Sequence, residues 1–179
     1  MTMIYFVRHG LSEANVKRVF AGQKDNSPLV DEGRKQAKDT AKKIKDEGIE
    51  IHKIISSPSL RAHETAQIIA QELGFDISDI IIDHRINEYD MGSLSGTPWH
   101  TISSAILVGA EEAEDPKAFQ ERVHSCVKEL AQLPENILVV SHGGVGRMLD
   151  TIKDGISGEL FYDKEIYSNG SITKIDWIK

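Results

Sequence analysis

Three short apolar runs, 3–7, 53–56 and 136–140, set the tightest limit on what this chain can fold into. Each is rich in β-branched or aromatic residues and lacks strict apolar–polar alternation, as expected of strands covered on both faces. Stretches with helical spacing separate them. Ala37, Ala41 and Ile44 form a stripe within 31–47, stopped by Gly48. Leu60, Ala66, Ile69 and Leu73 form another within 59–73, stopped by Gly74. Asp115 followed by Pro116 opens a third helix over 115–133. Gly143-Gly144 leads into a fourth, with Val145, Met148, Leu149 and Ile152. This alternation predicts an α/β fold, a three-layer α/β/α sandwich with a mostly parallel central sheet and right-handed crossovers. Residues 80–83 are a further candidate strand. The tail reads as two strands, 164–167 and 171–178, around a Ser168-Asn169-Gly170 turn.

A chain of 179 residues suffices for one domain with a real core, taken as 1–179. Its single cysteine, Cys126, excludes an internal disulfide and a Cys-rich metal site. Cys126 stands at helical spacing among Phe119, Val123, Val127 and Leu130, which makes it a core residue. The formal net charge of −7 argues against a nucleic-acid partner but not against a small anion held by a few cations in a cleft. No stretch is long and apolar enough to span a membrane. The N-terminal apolar run lacks a basic lead-in and is broken at once by Arg8 and His9, so a cytoplasmic protein is expected.

The chemistry gathers where the strands stop. The first run ends in Arg8-His9-Gly10. The second ends in Ser56-Ser57-Pro58, with Arg61 just inside the next helix. The third ends in Ser141-His142-Gly143-Gly144. In open α/β sheets, ligands bind outside the carboxyl ends of the strands. Two arginines and two histidines brought to one edge would repel each other unless a dianion sat among them. Arginine's planar fork suits phosphate oxygens, and the glycines let backbone approach a ligand. His52, His63, His84, His100 and His124 lack such a setting and read as surface residues. Arg18, Lys24 and Arg85 read as solvated surface charge.

Arg8-His9-Gly10-Leu11-Ser12-Glu13-Ala14-Asn15 resembles the signature of the histidine phosphatase superfamily, also called phosphoglycerate-mutase-like. Four further blocks follow in order: Asn26-Ser27-Pro28-Leu29 with Gly33 and Gln36-Ala37; Ser57-Pro58-Ser59-Leu60-Arg61-Ala62 with Thr65-Ala66; Glu88 with Gly92 and Gly96; and Ser141-His142-Gly143-Gly144. The resemblance implies a phosphoric monoester hydrolase of the histidine acid phosphatase type. It makes His9 the nucleophile and future phosphohistidine, and Glu88 the acid and then base. It makes Arg8, Arg61 and His142 the phosphoryl ligands. Asn15 would sit at the pocket edge, Gly143 against the substrate, and Ser12 behind them as a supporting hydroxyl. It also implies a short lid-like insertion around 93–115, with Trp99 and His100 as candidates to face substrate. No metal or cofactor is required, since side chains supply the cations. The expected partner is a small phosphorylated metabolite, with inorganic phosphate as product and no membrane; oligomeric state is left open.

Departures from the family pattern decide between its branches. Leu11 stands where many members carry Glu or Gln. Val30 stands where Thr often caps the next helix, so Asp31 is expected to cap instead. Mutases follow the acid Glu with Arg-His-Tyr-Gly, whereas this chain reads Glu88-Tyr89-Asp90-Met91-Gly92. The missing basic groups, with the short chain, favour hydrolysis over transfer back to substrate. A cofactor-dependent phosphoglycerate mutase, a phosphohistidine protein phosphatase and a non-catalytic phosphate-binding protein are the alternatives.

Overall fold

In the computed structural model, which describes residues 2–178, the three apolar runs become the middle of one five-stranded sheet. They are β1 (Ile4–Arg8), β2 (Lys53–Ser56) and β4 (Ile137–Ser141). β4 lies between the other two and runs parallel to both. β3 (Ile81–Ile82) extends the edge beside β2 in parallel, and β5 (Ile172–Ile175) closes the opposite edge antiparallel to β1. The order is β3-β2-β4-β1-β5.

Parallel neighbours need crossovers, and helices supply them on both faces. Val7, Ile54, Leu138 and Val140 pack against α2 (Asp31–Asp46) and α3 (Leu60–Leu73), through Ala37, Ala41, Ile44, Ala66 and Ile69. Ile4, Phe6, Ile55, Ile137 and Val139 pack on the other side against α5 (Pro116–Leu130) and α6 (Gly143–Lys153). Successive residues of each strand thus enter opposite cores, which explains why the runs show no alternation. Cys126 lies in the second core, and burial pushes its thiol up to about 12, as the sequence pattern implied. No helix among the described residues is long and apolar enough to cross a membrane.

Three local expectations are corrected. Val30, not Asp31, is the residue preceding the first turn of α2, and it offers no side-chain cap. Its N–H is already engaged by Leu11 O at 3.0 Å, which holds Val30 extended and starts the helix at Asp31. Asp31 still places negative charge at the positive helix end. In the tail, 164–167 forms no strand. The outer edge of β1 is taken by β5, so Tyr167 instead packs its ring on Phe6, centroids 5.5 Å apart. The candidate strand at 80–83 shortens to the two residues of β3, both exposed at the sheet edge.

The loop after β1 is wedged onto the start of α2 at two glycines. A Cβ at Gly10 would lie 2.3 Å from Gly33 O, and one at Gly33 would lie 2.1 Å from Leu11 O. Backbone against backbone cannot yield as a flexible side chain can. Gly33→Ala is therefore expected to cost about 1–3 kcal/mol of stability in urea unfolding. A variant as stable as the parent protein would show that this contact is not tight.

Candidate active site

The parallel register aligns the strand ends: Arg8 lies beside Ser141, and Ser56 beside Val140. Arg8-His9, Ser57 and His142 therefore emerge at one edge of the sheet. Arg61 enters from the first turn of α3 and Glu88 from the loop after β3. His9, Arg61, Glu88 and His142 are all buried. One cavity is lined by six of the seven predicted residues: Arg8, His9, Asn15, Arg61, Glu88 and Gly143. The seventh, His142, packs edge-on against the His9 ring, centroids 5.2 Å apart, and is not on the cavity wall.

His9 is held in one tautomer. Its Nδ1–H donates to Gly10 O at 2.7 Å, so Nε2 carries the free lone pair. Its backbone N–H donates to Ser141 O at 2.9 Å. Burial first, then Arg61 and Arg8, hold its pKa well below the ordinary 6.5. His142 is lowered likewise, by burial first and then by Arg61, His9 and Arg8. Its Nε2 meets Ser57 Oγ at 2.6 Å, and its buried Nδ1 has no protein partner. Two neutral imidazoles are the outcome.

The arginines are aimed by backbone. Arg61 donates to Asp25 O and Gly22 O, each at 3.0 Å, so the loop before α2 fixes its guanidinium. Arg8 donates to Tyr167 O, and its buried Nε has no partner. Burial lowers Arg8 to about 10, which leaves it a cation at neutral pH. The carboxylate of Glu88 accepts from Tyr89 N at 2.9 Å and Gly144 N at 3.2 Å. A Cβ at Gly144 would fall 2.1 Å from Glu88 Oε1, so this glycine is what admits the carboxylate. Asn15 stands in a capping box with Ser12 at the start of α1 (Glu13–Lys17), giving the Ser12 hydroxyl its supporting place.

Sequence reasoning missed two arginines. Arg147 lines the cavity with its guanidinium 4.4 Å over the Tyr162 ring, and its buried Nε has no partner. The available signal was its spacing of one helical turn after Gly143. Arg122 of α5 donates to Glu88 O at 2.9 Å and Asn87 O at 2.8 Å, and is itself held by Glu114 at 2.6 Å. Nothing in the local pattern marked it. Phe20, Met91, Phe161 and Tyr162 form an apolar wall beyond the arginines. Trp99 joins that wall; His100 does not, and is exposed. Lys24 and Arg85 are paired with Glu112 and with Asp83 and Glu129, away from the cavity wall. Among the described residues, no group of three or more His, Cys, Asp or Glu side chains is arranged to hold a metal ion.

A family profile described as histidine phosphatase superfamily (branch 1) matches residues 4–179. The chain is similar to a Cronobacter sakazakii protein named "Probable phosphoglycerate mutase GpmB". The two are 35% identical over 167 residues, covering 85% of this chain and 75% of that one. Among solved structures it is similar to Bacillus stearothermophilus YhfR, with a TM-score of 0.83 and 25% identity over 98% of this chain and 91% of that one. It shares its fold with a mycobacterial glucosyl-3-phosphoglycerate phosphatase crystallised with VO3. There the TM-score is 0.81 at 21% identity, covering 98% of this chain and 91% of the other.

The lowered imidazoles make stability pH-dependent. Above 6.5, His9 and His142 are neutral in both folded and unfolded chains and contribute nothing to the slope. Below it, the unfolded chain takes up protons that the folded one refuses, so stability falls with pH until the folded pKa is reached. The expected slope is up to ~1.4 kcal/mol per pH unit for each histidine. Urea unfolding of the parent protein and of His142→Gln, in phosphate-free buffer from pH 7.5 to 5, measures it. The variant should show a shallower decline, and equal slopes would overturn the assignment.

Proposed function

Because the chain belongs to the histidine phosphatase superfamily, branch 1, we propose that it is a metal-independent phosphatase that hydrolyses small phosphomonoesters through a phosphohistidine on His9. The carrying observation is the free Nε2 of a neutral His9 in one cavity with Arg8, Arg61, Arg147 and a single carboxyl, Glu88. A neutral imidazole is a nucleophile, and the cations around it disfavour its protonation while attracting a dianion.

In the first step, His9 Nε2 attacks phosphorus and the ester P–O bond breaks. Glu88 gives its proton to the departing alkoxide. In the second, the Glu88 carboxylate takes a proton from water, whose oxygen attacks phosphorus as the P–N bond breaks. Phosphate leaves and both groups are restored. Arg8, Arg61, Asn15 and the Gly143 backbone are read as ligands of the phosphoryl oxygens, and His142 as one through Nδ1, the ring nitrogen without a protein partner. The fixed guanidinium groups stabilise the charge spread over those oxygens in each transition state. Residues 93–115 are read as a short lid, a reading supported by Trp99 on the cavity wall.

The name of the curated relative favours a second reading, phosphoglycerate mutase. Against it stands the apolar wall of Phe20, Met91, Phe161 and Tyr162, which leaves Arg147 as the one cation lining the cavity beyond Arg8 and Arg61. Isomerisation of 3-phosphoglycerate faster than its hydrolysis would decide for the mutase.

The protein is expected to release phosphate from p-nitrophenyl phosphate in EDTA, and His9→Ala to lower kcat at least about 1000-fold. Residual activity in that variant near the parent level would remove His9 as nucleophile. Glu88→Gln should lower kcat/KM, which reports only the first step, about 100–10,000-fold on alkyl phosphates. It should cost far less on the aryl ester, whose leaving group needs little protonation. Equal losses on both would take the acid role from Glu88.

A further inference from the structure

The turn at 168–171 does more than join two elements. β5 runs antiparallel to β1 with Val7 opposite Ile172, so the residues just before β5 lie against Arg8 and His9. Arg8 N donates to Ser171 O at 3.2 Å, and Gly170 N donates to Arg8 O at 2.9 Å. Gly170 has φ +71, and a Cβ there would meet Gln36 at 2.9 Å, so the turn is held in one shape. Thr40 Oγ1 secures it from α2, donating to Gly170 O at 2.6 Å.

From this turn Asn169 reaches His9 and Asn15 from behind the cavity. Its Nδ2 donates to His9 O at 3.0 Å and to Asn15 Oδ1 at 3.2 Å, which uses both amide protons. Asn15 Oδ1 also accepts from Ser12 N at 3.1 Å and Ser12 Oγ at 3.0 Å. With three donors around its oxygen, the Asn15 amide has one satisfactory orientation. Its NH2 end is the end left for a ligand, and Asn15 lines the cavity with His9.

We propose that Asn169 is a positioning residue for phosphoryl transfer: it fixes the amide orientation of Asn15, so that the Asn15 NH2 faces the phosphoryl oxygens, and pins the His9 peptide. The proposal rests on the phosphatase reading above, and deepens it. A carboxylate at 169 cannot donate. It would draw the Asn15 NH2 towards itself and withdraw that donor from the cavity.

The test pairs Asn169→Asp and Asn169→Ala with Asn15→Ala, reading kcat, KM and vanadate affinity, the last by competitive inhibition of turnover or, without turnover, by the fluorescence of Trp99 and Trp177. Thermal unfolding checks each fold. Asn169→Asp should lower kcat about 100-fold with little change in KM, and weaken vanadate at least about tenfold. Asn169→Ala, which adds no charge, should move both the same way by about tenfold, and it decides the matter if the Asp variant does not fold. In the Asn15→Ala background either change should cost at most about threefold, because its main target is gone. Equal losses in both backgrounds would show that Asn169 does not act through Asn15 and overturn the proposal, as would unchanged vanadate affinity in Asn169→Asp. A parent protein that turns over no ester, yet keeps this order of vanadate affinities, would sink the phosphatase reading and leave Asn169 orienting Asn15 for anion binding alone.

Discussion

The guanidinium groups of Arg8, Arg61 and Arg147 share a cavity with one carboxyl group, and their mutual repulsion is the constraint around which the site is built. Burial raises that cost, since low dielectric strengthens like-charge repulsion as well as attraction. The structure offsets it with fixed dipoles. Two backbone carbonyls hold Arg61, a third holds Arg8, and the Tyr162 ring face carries Arg147. None of these neutralises the cluster. On the proposed function, a phosphate dianion is what neutralises it. The acidic surface, formal net charge −7, is compatible with this because the cations are concentrated in one place.

The same field acts on His9. Burial, then Arg61 and Arg8, lower the pKa of His9, and the Gly10 carbonyl accepts a hydrogen bond from the other nitrogen. Charge and tautomer therefore point the same way, to a lone pair on Nε2. Behind the Glu88 side chain, Arg122 ties Glu88 O and Asn87 O to Glu114, so the loop bearing Glu88 is anchored to α5. The cavity thus draws on both helical layers: α3 supplies Arg61, α6 supplies Gly143, Gly144 and Arg147, and α5 steadies Glu88.

Periodicity along the chain determined the layered fold, the three central strands and the helices between them, because residues facing two cores leave a local record in their spacing. The order of motif blocks also picked out Arg8, His9, Arg61, Glu88 and His142, since each stands at the end of an apolar run or in a short pattern. The tertiary structure alone decided what lies between those blocks. Arg122, the Asn169 turn and the denial of a strand to 164–167 depend on contacts between residues far apart in sequence. Such contacts are set by which strand edge is already occupied and which carbonyl is left free, and no local spacing encodes either.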